Sequence, residues 1–224
     1  MTENNRNFTL KNIKKTVSYR DTGIMVINIS YPVFEKCGQG KKEEAFVTKI
    51  NKFYRHIAEK YTAYISEKYP AMAWKIYKTI GNIKMSFLMQ CTVCSISEKF
   101  ISVFADLSYF DGKKKKTVRL SQNWSEEKNA LLPPSFCLET NGKAKRYITG
   151  IISGIASENL KSRNFSYYSD FERIIGRKFD FDNVYFVPKG TAFFYNAGVL
   201  SDEESPCVFV IPNERIDGVL KLSL

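Results

Sequence analysis

The chain has 224 residues, 44% of them hydrophobic, and carries 34 Lys and Arg against 23 Asp and Glu, a net charge of +11. Its five cysteines are an odd number, which excludes a fully paired disulfide framework, and apolar runs such as 24–29 are too short to span a bilayer. The basic excess favours an anionic partner such as nucleic acid, an anionic lipid surface or an acidic wall polymer. The alternative is a lysine-rich surface that has no such partner.

The N-terminal part predicts a polar segment, residues 1–13, followed by a single domain over residues 14–224. Stretches 16–19 and 24–31 flank Asp21-Thr22-Gly23, a pattern typical of a β-hairpin. We expect Tyr31-Pro32 to end the second strand because proline cannot continue a ladder of hydrogen bonds. The first residues lack the apolar core of a secretory signal, so the chain is predicted to be cytoplasmic.

Residues 42–69 predict a long amphipathic helix around which the rest of the chain is organised. One face is apolar, with residues at steps of three and four: Phe46, Ile50, Phe53, Ile57, Tyr61 and Tyr64. Such a face must be covered, and the neighbouring strands are the predicted cover. Pro70 ends the helix, and a short helix over 71–79 follows with Trp74 and Tyr77 on one side.

The middle of the chain predicts three strands, 83–94, 100–110 and 116–124, with a turn at Asp111-Gly112. Cys91 and Cys94 form a C-x-x-C pair inside the first of them. Residues three apart on a strand point to opposite faces, so the two thiols cannot bind one metal ion. The pair is therefore interpreted as coincidental, and no metal or cofactor is predicted.

The last third predicts a second amphipathic helix over 143–160, a short helix over 169–175, and strands over 183–187, 191–196 and 206–211. Gly150 and Gly154 weaken the helix or mark a close approach to the sheet. The whole order predicts an α+β fold. Its antiparallel sheet of hairpin, central meander and C-terminal strands is covered by the long N-terminal helix and the second amphipathic helix.

A family resemblance rests on this order of elements and on a few segments. The segments are Tyr31-Pro32, Ile50-Asn51, Ile101-Ser102-Val103, Val184-Tyr185-Phe186-Val187-Pro188-Lys189-Gly190, Phe193-Phe194-Tyr195-Asn196 and Val210-Ile211-Pro212. The chain thereby resembles an uncharacterised domain family. That family forms the C-terminal ectodomain of RsiV-type anti-sigma factors and an accessory domain of PdaC-type cell-wall deacetylases.

The resemblance implies a ligand-sensing or wall-associated binding module without chemistry of its own, and an extracellular place if the chain is part of a longer protein. RsiV-type domains bind lysozyme, but a chain at +11 would repel a strongly basic lysozyme, so the ligand is not carried over. Family members also usually have Gly-Gly-x-His after the strand that matches 100–110. This chain has no histidine there.

The densest charge lies in that place, at Lys113, Lys114, Lys115 and Lys116. These side chains are candidates to bind phosphate or another polyanion, and the alternative is a solvated hairpin tip. Lys11, Lys14 and Lys15 extend the patch if the first strand lies nearby.

Phe194 is the other candidate binding residue. It alternates with Phe193 and Tyr195, so its ring becomes a ligand platform if that face is uncovered. His56, the only histidine, is interpreted as a packing residue, and no catalytic residue is predicted. The favoured function is a non-enzymatic domain that binds an unknown protein or anionic ligand. The alternatives are a nucleic-acid or other polyanion-binding protein and a hydrolase with an unrecognised site.

Overall fold

Two β-sheets packed face to face form the centre of the structure, and helices cover their outer sides. The structure is a computed structural model and describes residues 6–38, 40–97, 99–162 and 165–221. The elements, in chain order, are β1 (Phe8–Tyr19), β2 (Thr22–Phe34), α1 (Lys41–Lys68), α2 (Pro70–Thr79), β3 (Met85–Ile96), β4 (Phe100–Phe110), β5 (Lys115–Ser125), β6 (Ala130–Leu131), α3 (Pro134–Cys137), α4 (Gly142–Lys161), α5 (Phe171–Lys178), β7 (Val184–Val187), β8 (Gly190–Tyr195) and β9 (Cys207–Pro212). No described helix is long and apolar enough to cross a membrane.

The large sheet has six strands in the order β1-β2-β3-β4-β5-β6, and the small sheet has three in the order β7-β8-β9. The predicted α+β class is confirmed. Two features differ from the predicted single antiparallel sheet. The C-terminal strands form a sheet of their own, and β2 and β3 run parallel, which makes the large sheet mixed. Parallel neighbours need a long crossover connection, and α1 with α2 provides it.

The N-terminal boundaries differ from the prediction in two places. Strand β1 begins at Phe8, so residues 8–13 belong to the large sheet instead of a separate polar segment. Residues 1–5 of that segment lie outside the described residues. Strand β2 continues through Pro32 to Phe34, because β3 pairs with β2 only from Met25 to Ser30. Pro32 therefore lies where β2 has β1 alone as a neighbour, and proline is tolerated at such an edge.

Helix α1 packs on β2 through a row of residues offset from the predicted apolar face. Its buried residues are Phe46, Val47, Ile50, Tyr54, Ala58, Thr62 and Ile65. Of the predicted face, Phe53, Ile57 and Tyr61 are only partly buried, and Tyr64 is 53% exposed. The Phe53 ring lies 4.9 Å from that of Trp124 on β5, so this second row points toward β5. The predicted apolar face is therefore rotated slightly about the helix axis from the residues of α1 that are most buried.

Strands β7 and β8 of the small sheet are largely buried on both faces. Phe194 and Tyr185 pack on the large sheet, while Phe193 and Phe209 pack with α4 through Ile148. The predicted second amphipathic helix is confirmed as α4. Tyr147, predicted on its buried side, is 53% exposed.

Two glycines in the interior of α4 provide a test of the helix. Gly150 and Gly154 are exposed, and a Cβ at either position would meet nothing within 4 Å, so neither marks a close approach. Gly150→Ala and Gly154→Ala are each expected to raise the free energy of unfolding by about 1 kcal/mol, measured by urea denaturation.

Gly112 is the matched control for these substitutions. Its φ is +91° and a Cβ would lie 3.2 Å from side-chain atoms of Ile76 and Ile80, so Gly112→Ala is expected to destabilise the protein. A Gly150→Ala, Gly154→Ala double variant no more stable than the parent would contradict the helix assignment.

Candidate functional site

Four segments of the chain meet at one end of the large sheet. The pairs Met25 with Met85 and Ser86 with Phe110 place the starts of β2 and β3 beside the end of β4. Helix α2 reaches the same end, because Ile76 and Ile80 lie against Gly112. We call the basic side chains of these segments the basic end: Arg20, Lys78, Lys84, Lys113, Lys114, Lys115 and Lys116.

The β4–β5 loop is shaped so that its lysines point to solvent. The Asp111 carboxylate accepts hydrogen bonds from the backbone N–H groups of Lys113 and Lys114, at 3.0 and 2.9 Å. These bonds, with a smaller contribution from the charge of Lys116, lower the pKa of Asp111. The side chains of residues 113–116 are all exposed. The loop and the first two residues of β5 therefore present four exposed cations next to Asp111, whose carboxylate already accepts two backbone hydrogen bonds.

Aromatic rings hold two further cations of the basic end. The Tyr19 and Trp74 rings lie 4.7 Å apart. The Arg20 guanidinium is 5.5 Å from the centre of the Tyr19 ring, and the Lys78 ammonium is 4.8 Å from that of Trp74. Such contacts favour these positions of the charges by about 0.5–1 kcal/mol each at an exposed site.

The sequence identified only part of this surface. It found residues 113–116 but missed Arg20, Lys78 and Lys84, because these belong to segments that meet only after folding. One signal in the sequence could have suggested part of it: Arg20 and residues 113–116 lie at predicted hairpin turns, and hairpin turns lie at the ends of a sheet. Lys11, Lys14 and Lys15 lie on β1 and do not adjoin residues 113–116, since β2, β3 and β4 lie between β1 and β5. An acidic side chain borders it, because the Lys115 N–H donates to Glu204 Oε1 at 3.2 Å.

The prediction that Phe194 is an aromatic platform is wrong. Its side chain is 2% exposed, because the small sheet lies face to face on the large one. In place of a ligand, the ring meets Tyr185 and the guanidinium of Arg119, 6.2 and 6.0 Å from its centre. Arg119 stacks 3.7 Å from the centre of the Phe104 ring and donates to both carboxylate oxygens of Asp106 at 2.8 Å. This cluster joins the sheets.

The two thiols of the C-x-x-C pair are buried or partly buried and face opposite sides of β3. Cys91 lies in the core under α1 and Cys94 faces the small sheet, which confirms that the two thiols point to opposite faces. Burial raises the pKa of both to about 12, so they stay neutral thiols. His56 is exposed on α1, so its interpretation as a packing residue is wrong. Over the described ranges, no three His, Cys, Asp or Glu side chains are grouped to hold a metal ion.

Comparison with solved structures identifies the fold. A crystal structure of a DUF3298-family member from Bacteroides fragilis NCTC 9343 matches 98% of this chain and 95% of its own, with a TM-score of 0.60 and 13% identity. A DUF3298-family protein from Pseudomonas aeruginosa PAO1 matches 96% of this chain and 95% of its own, with a TM-score of 0.59 and 12% identity. The chain has the fold of these DUF3298 proteins. Comparisons with protein-family profiles and with curated proteins find no match.

The structural likeness supports an uncharacterised domain family, as the resemblance implied. At 12–13% sequence identity, this structural likeness is evidence for the fold alone. The relation to RsiV-type and PdaC-type proteins stays a prediction.

Proposed function

We propose that the chain is a non-enzymatic binding domain, of the RsiV-ectodomain type, that recognises an anionic partner through the basic end. One observation carries the proposal: cations from four separate segments converge on one end of the large sheet. The charges of the consecutive lysines at 113–116 act together, because neighbouring residues lie within the screening length of about 8 Å at physiological salt. A surface of this kind attracts a phosphate- or carboxylate-bearing partner and speeds its encounter.

A binding role is favoured over nucleophilic catalysis by the chemistry of the thiols and by the resemblance. Burial raises the pKa of Cys137 to about 12, as it does for Cys91 and Cys94, so none of the three is a thiolate at pH 7. The resemblance to RsiV-type ectodomains implies recognition without turnover. Nucleic acid is one partner that carries the required negative charge. For the alternative of a hydrolase, the sequence suggested no catalytic residue.

Binding of a polyanion is expected to depend on the lysines at positions 113–116. The probes are inorganic polyphosphate and a fluorescent oligothymidylate, titrated by anisotropy at several salt concentrations. The test variant is Lys113→Gln, Lys114→Gln, Lys116→Gln. The matched control removes three exposed charges from α4 with Lys143→Gln, Arg146→Gln, Lys161→Gln. For the oligonucleotide, the slope of log K against log salt is expected to fall by about 2 in the test variant, since each neutralised phosphate contributes roughly 0.7.

Two results would contradict the proposal. The first is the absence of binding to either probe at low salt. The second is an equal loss in the α4 control, which would mean that net charge alone drives the association. Tighter binding to the oligonucleotide than to polyphosphate at equal charge would favour the nucleic-acid alternative, because base stacking would then add to phosphate contacts.

A further inference from the structure

Beside α1, part of one face of the large sheet is left uncovered, because Val118 and Leu120 on β5 are about half exposed. The residues that line this part are Tyr61 and Tyr64 on α1, Leu107 and Tyr109 on β4, and Val118 and Leu120 on β5; we call this the tyrosine groove. Val118 lies directly opposite Leu107 of β4 and Leu120 opposite Ala105, and the two side chains are 47% and 48% exposed. Helix α1 packs mainly on β2, and the exposure of these two side chains shows that no helix of the described residues covers them fully.

Aromatic contacts close both ends of the tyrosine groove. At one end the Phe53 ring contacts Trp124 at 4.9 Å. At the other end the Tyr64 and Tyr69 rings lie 6.2 Å apart. The Tyr69 ring contacts that of Phe87, and the Phe87 ring contacts that of Tyr109. Burial, with a smaller effect of Tyr69, raises the pKa of Tyr61 to about 12, so its hydroxyl stays protonated. The floor is thus apolar, with phenol groups along one wall, as in surfaces that bind proteins.

Two lysines lie at the rim of the tyrosine groove, one on β5 and one on α1. Lys116 lies directly opposite Tyr109 on the neighbouring strand. Lys60 is exposed and lies one helical turn from Tyr64. Glu67, also on α1, is already paired with Lys68 at 3.2 Å. An occupant is therefore expected to carry carboxylates on both flanks of its apolar side, and a second copy of this chain, at +11, would be repelled.

Occupancy by a helix is favoured over an added strand. A strand would have to pair with the free edge of β5. There the backbone N–H of Arg119 already donates to Asn196 Oδ1 at 2.6 Å, and that of Lys115 donates to Glu204. A partner is thus directed to the face of the sheet, where side chains rather than backbone groups make the contacts. From Lys116 to Leu120 the groove floor is about 14 Å long, which matches two to three turns of helix.

We propose that the tyrosine groove binds an acidic amphipathic helix of a partner protein. Its apolar side chains pack on Val118 and Leu120 beneath the tyrosines, and its carboxylates pair with Lys60 and Lys116. Helix-in-groove recognition of this kind uses apolar anchors at i, i+3, i+4 and i+7. The tyrosine groove is a different surface from the basic end and shares only Lys116 with it.

A displayed library of randomised helical peptides, selected against the full chain, tests this proposal. Enriched peptides are expected to carry the i, i+3, i+4, i+7 apolar spacing and a net negative charge. Binding of individual peptides, measured by fluorescence anisotropy, is expected to weaken at least about tenfold with Val118→Thr, Leu120→Gln. Val210→Thr is the matched control, since Val210 is 51% exposed on β9 and is not in the groove. All of these positions are exposed, so the variants are expected to fold.

Several results would overturn the proposal. The first is a selection in which the parent chain enriches no more peptides than the Val118→Thr, Leu120→Gln variant does. The second is a set of enriched peptides without acidic residues beside their apolar face. The third is equal binding of individual peptides to the parent and to this variant. Self-association seen by sedimentation and abolished by Leu120→Gln would assign the groove to a second copy. Peptide binding that is lost in Lys113→Gln, Lys114→Gln but kept in Leu120→Gln would belong to the basic end. That last result would contradict the groove proposal but not the proposed function.

Discussion

Above about pH 9 the free energy of unfolding is expected to fall by up to about 4 kcal/mol per pH unit. The cause is the two buried thiols of Cys91 and Cys137 and the partly buried thiol of Cys94, whose pKa burial raises from the ordinary value of 9.0 to about 12. In the unfolded chain these thiols ionise near their ordinary pKa, whereas the folded chain keeps them protonated. Their contribution is fully present below pH 9 and is lost as the pH rises toward 12.

The magnitude follows from proton release on unfolding. Each thiol that ionises only in the unfolded state contributes about 1.4 kcal/mol per pH unit within this window. Over the three pH units from 9 to 12 the three thiols together remove at most about 12 kcal/mol, so a domain stable by about 5–10 kcal/mol is expected to unfold between about pH 10 and pH 12. Urea denaturation under reducing conditions, repeated at a series of pH values, measures the slope.

A cysteine variant isolates the effect of one thiol. Cys137→Ala is expected to reduce the slope of stability against pH by about one third, roughly 1.4 kcal/mol per pH unit. In the folded protein a thiolate-specific reagent is expected to modify these three cysteines slowly at pH 8 and rapidly in urea. A free energy of unfolding that stays constant across the alkaline range would show that these thiols are not buried.

Arg119→Ala is expected to lower the free energy of unfolding by about 3 kcal/mol. The side chains of Arg119 and Asp106 are 11% and 26% exposed and form two hydrogen bonds. Removing the guanidinium leaves a largely buried carboxylate without its partner and removes the cation stacked on Phe104. The partial exposure of Asp106 places the effect at the lower end of the usual cost of breaking a buried pair. Urea denaturation measures it.

Two comparisons separate this cluster from an ordinary ion pair. Arg173→Ala breaks the exposed pair with Asp170 and is expected to change stability by less than about 1 kcal/mol. Arg119→Lys keeps the charge but neither the two parallel bonds nor the planar stacking, so it is expected to recover less than half of the loss. A cost for Arg119→Ala as small as that for Arg173→Ala would mean that this cluster does not hold the sheets together.

Much of the fold could be predicted because repeating patterns report local geometry. The strict alternation around Cys91 and Cys94 identified β3 and placed the two thiols on opposite faces, as the structure has them. The parallel pairing of β2 and β3 could not be read this way, because alternation defines the faces of a strand and not its neighbours.

The candidate site was harder to predict than the fold. Residues 113–116 stood out because they are adjacent in the chain. Arg20 and Lys84 join them only through the pairing of four strands. Phe194 was taken for a platform because alternation cannot tell whether a second sheet covers that face, and here one does.

By itself the sequence determined where helices and strands form, since periods of two and of three to four residues follow from backbone geometry. It also determined the positive charge of the surface. Only the tertiary structure decided which side of each element is covered. Helix α1 shows why: Tyr54 and Tyr64 are equally aromatic, yet Tyr54 is 1% exposed and Tyr64 is 53% exposed. Burial depends on the neighbour that packs against a side chain, and that neighbour comes from a distant part of the chain.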